Sequence, residues 1–220
     1  MNFLQRSLPG LFTLVAMMVF SAVVFDSLPE QVPSSYSFSG EVTDTQSRGL
    51  IVSLAPALYL FILALVYGLL RISPEKFSMP NSKRAVDVIL FGVGVMVFFI
   101  HVAIIEGAGD MQRYLFFFSY GMAAFLVITG NVFGKTERNF FIGIRLPWTI
   151  ASAANWKVTH RLAGKLMVAF GLVLAVINTF YVNLWLMLAL CIGPLLLPVL
   201  YSPWYYFKHE KTAEGENEDI

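Results

Sequence analysis

One cysteine in 220 residues, Cys191, is too few for an internal disulfide framework or a cysteine-based metal cluster. Charge is scarce as well: Asp, Glu, Lys and Arg make up 13% of the chain, against roughly 25% in soluble domains. Apolar residues make up 57% and mean hydropathy is +0.70. That balance excludes an ordinary soluble core and points to a polytopic membrane protein. Its longest polar segment, 130–165, has one carboxylate, Glu137, and lacks a nucleophile–base pair. No catalytic residue is assigned there and an enzyme is not expected. His160 is the only histidine of that segment and has no Cys, Asp or Glu at ligand spacing, so no metal or other cofactor is expected.

Two glycine motifs fail on inspection. Gly134-Lys135-Thr136 has the end of a phosphate-binding loop, but the earlier glycine position is Thr129 and an apolar run precedes it. Gly92-Val93-Gly94 meets Val97 where a dinucleotide loop needs its third glycine. Close packing of helices accounts for Gly92 and Gly94, and Gly130-x-x-x-Gly134 fits it too. Direct nucleic-acid binding is not expected.

Six apolar runs are present, at about 8–25, 50–70, 86–105, 114–133, 162–181 and 184–201. Each approaches the roughly 20 helical residues that cross a bilayer core of about 30 Å. The runs are continuous, not alternating, which favours helices over a barrel. The expected fold is all-α, with six transmembrane helices in the cell membrane (the inner membrane if the cell has two). The first run follows Arg6 as in a signal peptide. It is long for one and no Ala-x-Ala site follows, so it is read as a retained helix. The last two runs, separated by a turn near Val182-Asn183, read as an antiparallel hairpin. On this plan 13 of the 15 Lys and Arg residues fall on one side. The positive-inside rule puts that side, with both termini and the polar segment, in the cytoplasm: N-in, C-in. Expected divisions are a first membrane region, 1–110, a second, 111–205, and a disordered tail, 206–220.

The outer loop 26–49 holds Pro29, Pro33 and Gly40 and reads as an ordered extended turn, not a helix. Pro56, Pro194 and Pro198 are expected to kink their helices. Asp87, His101 and Asn178 lie in or beside apolar runs, where polar groups are functional candidates. His101 is expected to bond to Glu106 or a backbone carbonyl, and Asn178 to bond across helices.

The polar segment is about 30 residues long, and loops of that length inside compact proteins are usually functional. Its candidate residues are Asn131, Gly134, Lys135, Asn139, Gly143, Arg145, Pro147, Trp148, Trp156, Thr159, His160, Arg161 and Lys165. They would form a structural cap or bind a partner or lipid head groups. Trp148 and Trp156 suit a membrane–water boundary. Lys135, Arg138, Arg145, Lys157, Arg161 and Lys165 could hold phosphates or a carboxylate.

In order, Gly130-Asn131, Gly134-Lys135, Asn139, Gly143-Ile144-Arg145, Pro147-Trp148-Thr149, Trp156, Thr159-His160-Arg161 and Gly164-Lys165 resemble the signature of the SdpI family of membrane proteins. Leu28-Pro29-Glu30-Gln31-Val32-Pro33 and Ser39-Gly40-Glu41-Val42-Thr43-Asp44 resemble a domain of unknown function that often precedes it. That domain commonly has a His and an aromatic after its second Pro, where this chain has Ser34-Ser35-Tyr36. The resemblance implies a six-helix protein giving immunity to a membrane-active toxin peptide. It implies a toxin outside and a cytoplasmic repressor inside as partners, with the lipid bilayer around the chain. The rival expectation is a transporter or ion pathway using Asp87, His101 and Asn178. It lacks a charged residue near the middle of any span. A membrane enzyme lacks a catalytic pair.

Overall fold

Lipid offers no hydrogen bonds to a backbone, so an apolar chain that crosses it must pair its backbone within each segment. The computed structural model describes residues 3–37, 41–72, 83–139 and 142–211. Among them, six helices are long and apolar enough to span a membrane. These are α1 (Phe3–Val24), α2 (Arg48–Ile72), α3 (Lys83–Glu106), α4 (Met111–Phe133), α6 (Ala153–Phe180) and α7 (Leu184–Tyr205). A short α5 (Pro147–Ala151) lies in the polar segment. Large apolar side chains such as Phe12, Phe61, Val176 and Leu200 point outwards and are exposed. Water would not tolerate such a surface, whereas acyl chains do. The chain is a multi-pass membrane protein of the expected all-α class, with one small β addition.

That addition is the 26–49 loop, expected to face outwards. Strands β1 (Gln31–Tyr36) and β2 (Val42–Ser47) form an antiparallel hairpin that pairs Gln31 with Ser47 and Val32 with Gln46, and slips register around Ser35. An extended turn was expected; the structure closes it into paired strands. Val32 is wholly buried against Ile51, Val52 and Ile105 and so anchors the hairpin to the bundle. Arg48 stacks 4.6 Å above the Phe25 ring, and its guanidinium also reaches the carbonyls of Phe25 and Leu28.

Helices α1, α2 and α3 share one apolar core around Met17, Tyr59, Leu63 and Leu90. Helices α4, α6 and α7 share another around Leu126, Met167, Leu174 and Met187. The close packing of α3 on α4 joins the two. Glycine permits that approach: a methyl at Gly92 would lie 3.0 Å from Thr129 Cγ2 of α4.

Polar groups pin the helices together. Arg6 of α1 makes a paired contact with Asp87 of α3, at 2.8 and 3.0 Å, and the Tyr67 hydroxyl of α2 donates to the same carboxylate. Asn178 of α6 donates to the Phe116 carbonyl of α4 at 3.0 Å, the cross-helix bond expected of it. His101 departs from expectation. Its partner is neither Glu106 nor a carbonyl but Ser21 of α1, at 2.8 Å, whose hydroxyl donates to the Val52 carbonyl of α2. That hydroxyl proton is already used, so His101 must present Nε2–H to Ser21.

Candidate functional site

Helix α6 starts at Ala153, nine residues before the expected run. With 28 residues it is about 42 Å long, so about 12 Å of it stands outside a 30 Å hydrocarbon core. The second half of the polar segment is therefore not loop but the protruding start of a membrane helix. Ser152 caps that start by accepting from the Asn155 N–H at 3.1 Å.

The segment folds around two stacked rings. The His160 ring lies on Trp156, with centroids 4.0 Å apart and planes 14° from parallel, and its other face meets Phe133 at 5.2 Å. The Ile144 N–H donates to His160 Nε2 at 2.9 Å. Nδ1 therefore carries the proton and donates to the Trp156 carbonyl at 2.8 Å. Neutral His160 thus ties the loop to α6. The Trp156 indole N–H donates to the Thr136 carbonyl at 2.8 Å. Trp156 was expected at a membrane boundary; it is instead buried at the centre of this cap. Gly143 lies over both rings with φ +131°, where a side chain would strike His160 Nε2 and the indole.

Shorter bonds shape the connecting loop. Asn139 closes a turn by donating to the Glu137 carbonyl and accepting from the Ile142 N–H, both at 2.7 Å. Pro147 begins α5, and buried Thr149 bonds to the backbone of Ile144 and Leu146. Arg138 donates to the carbonyls of Ile150 and Ala151 at the end of α5, so this cation closes the cap. A second buried network joins α6 to α7. Asn155 donates to the Ser202 carbonyl at 3.0 Å and accepts from the hydroxyls of Ser202 and Thr159. The Ser152 hydroxyl donates to Glu210, in a turn (Tyr206–Glu210) that continues α7. The looseness expected from residue 206 thus does not begin there; 212–220 lie outside the described residues.

Most of the predicted residues fall into two groups, which share Trp156. Asn139, Gly143, Pro147, Trp156, Thr159 and His160 build the cap. Asn131, Gly134, Lys135, Arg161 and Lys165 line a groove of about 1080 Å³ between the end of α4 and the start of α6. Arg145 is exposed on the loop and Trp148 is half-buried; neither lines the groove. Asn155, Ser202 and Phe133 were missed. The spacing of Asn155 and Thr159, one helical turn apart, was a visible signal for the first of them.

Residues 135–202 match the model of the SdpI/YfhL protein family. That stretch runs from the groove's rim, through the cap, to the Ser202 that Asn155 holds. Residues 12–60 match a domain of unknown function, DUF1648, which takes in most of α1, the hairpin and the first half of α2. Over 192 residues the chain is 26% identical to immunity protein SdpI of Bacillus subtilis (strain 168), covering 86% of this chain and 89% of that relative. No solved structure matches it. The matched stretch holds the whole stacked cap except Phe133, which precedes it by two residues.

Proposed function

We propose that this chain is an immunity protein that protects its cell from a membrane-active toxin peptide. The observation that carries this reading is the near end-to-end similarity to immunity protein SdpI of Bacillus subtilis. The face opposite the cap supports it. There Asp26, Glu30, Glu41, Asp44, Glu106 and Asp110 are exposed, while Arg48 is engaged with Phe25. Such a surface attracts a cationic peptide. Just below the hairpin, an apolar crevice of about 440 Å³ runs between α1 and α2, lined by Leu14, Met18, Phe25, Val52 and Leu60. It would receive the apolar part of such a peptide. On the other face the rigid cap, with Arg145 exposed on it, would present a fixed surface to a cytoplasmic repressor. Asp87, His101 and Asn178 each have a structural partner, which weakens the transport alternative.

The test is deletion of the gene in its own host, followed by survival in medium conditioned by wild-type siblings. The deletion strain should die at dilutions that the parent tolerates, and plasmid-borne wild type should restore it. Equal survival of both strains in every conditioned medium and against a panel of membrane-active peptides would remove the immunity reading.

A further inference from the structure

The start of α6 breaks a local electrostatic preference. Lys157, Arg161 and Lys165 recur every four residues, so three like charges line one face. Among the described residues nothing relieves that repulsion. Among the described residues, Lys157, Arg161, Lys165 and the facing Lys135 have no hydrogen-bonded or ion-pair partner. Arg138 is committed to α5, and the one carboxylate in the groove is Glu137. Violations of local rules without internal compensation mark functional surfaces.

The groove's shape shows what would compensate. Its floor is backbone: methyls at Gly130 and Gly164 would lie 2.8 and 2.7 Å from the opposing carbonyl oxygens, so α4 and α6 touch there. Towards the membrane centre the lining turns apolar, with Val168, Ala169 and Leu172. Leu172 is 53% exposed, on the same outward face as Val176. Cations at the rim and an apolar trough below, in that order along the helix axis, repeat the order of charge and acyl chain in a phospholipid.

We infer that this groove binds one anionic glycerophospholipid, its phosphate held by Lys135, Lys157, Arg161 and Lys165 and its acyl chain lying on Ala169 and Leu172. The inference stands on the groove alone and does not require the immunity reading. Loss of this lipid would leave the repelling cations of α6 uncompensated beside the Trp156–His160 stack.

Native mass spectrometry of the full chain in detergent tests it, with phosphatidylglycerol and phosphatidylcholine of identical acyl chains in competition. Wild type should retain phosphatidylglycerol preferentially, and the triple variant Lys157→Gln, Arg161→Gln, Lys165→Gln should lose about tenfold or more of that preference. A control triple, Arg71→Gln, Lys83→Gln, Arg84→Gln, removes as many cations outside the groove and should keep it. Ala169→Trp, which fills the trough without touching charge, should weaken lipid retention several-fold and decides the matter if the groove triple does not fold. Millimolar glycerol 3-phosphate should not displace the lipid. The inference is overturned by equal lipid preference in both triples, by unchanged retention in Ala169→Trp, or by displacement with glycerol 3-phosphate, which would mark a free-phosphate site.

Discussion

Adding one methyl at Gly143 should cost more than its size implies. At φ +131° a side chain is strained, which costs about 1–3 kcal/mol. The new Cβ would also meet His160 Nε2, and would lie 2.8 and 2.9 Å from two carbons of the Trp156 ring. Those rings are fully packed, so relief requires moving the loop away and losing the Ile144–His160 hydrogen bond, about another 1 kcal/mol. Gly143→Ala should therefore destabilise the chain by about 2–4 kcal/mol. Gly68→Ala in α2 is the control: nothing lies within 4 Å of its added methyl, and helix propensity should make it neutral or stabilising by up to about 1 kcal/mol. Reversible unfolding in mixed detergent micelles, followed by tryptophan fluorescence, measures both. The double variant with His160→Ala sharpens the test. Removing the ring removes much of the clash, so the two substitutions should cost less together than their sum. A Gly143→Ala protein within about 0.5 kcal/mol of wild type, or strict additivity with His160→Ala, would refute this account of the cap.

Ser21→Ala should cost about 1–3 kcal/mol in the same assay, because it leaves both His101 Nε2–H and the Val52 carbonyl unpaired in a buried place; Ser53→Ala, at an exposed position, should change little. Arg145→Lys should lose protection at matched membrane levels if the planar guanidinium holds a specific group; full protection with Lys but none with Gln would reduce its role to charge. In a Cys191→Ala background, cysteines at Ser35 and Ala151 test orientation: an impermeant thiol reagent should label the first on intact cells (outer membrane permeabilised if present) and spare the second, and the reverse pattern would overturn N-in, C-in.

The spans were legible because lipid imposes a simple demand, and runs of roughly 20 apolar residues meet it. The start of α6 was not, because Lys157, Arg161 and Lys165 interrupt hydropathy in the stretch that protrudes from the membrane. Its helical period was nonetheless present, with Trp156 and His160 four residues apart and stacked in consequence. The hairpin was hidden for another reason. Pro29, Pro33 and Gly40 signal a turn, whereas pairing depends on which residues oppose one another, and the slip at Ser35 follows no local pattern. Contacts such as Arg6 with Asp87 and Ser21 with His101 join residues about 80 positions apart in the chain. Single polar residues in apolar runs show that a partner is needed without showing which. Within the cap, Gly143 and His160 were visible as special residues, but their contact with each other is a product of the folded loop. The groove was half visible: its cations stand out in the sequence, while their gathering beside buried Trp156 required the fold.

A protein that protects the membrane should preserve the host's membrane potential, which is therefore the most direct measure. Parent, deletion and complemented cells carrying a potential-sensitive dye would receive medium conditioned by wild-type siblings. The deletion strain alone should depolarise rapidly, with the parent and complemented cells holding their potential. Depolarisation to the same extent in all three strains, with the complementing protein confirmed in the membrane, would contradict it.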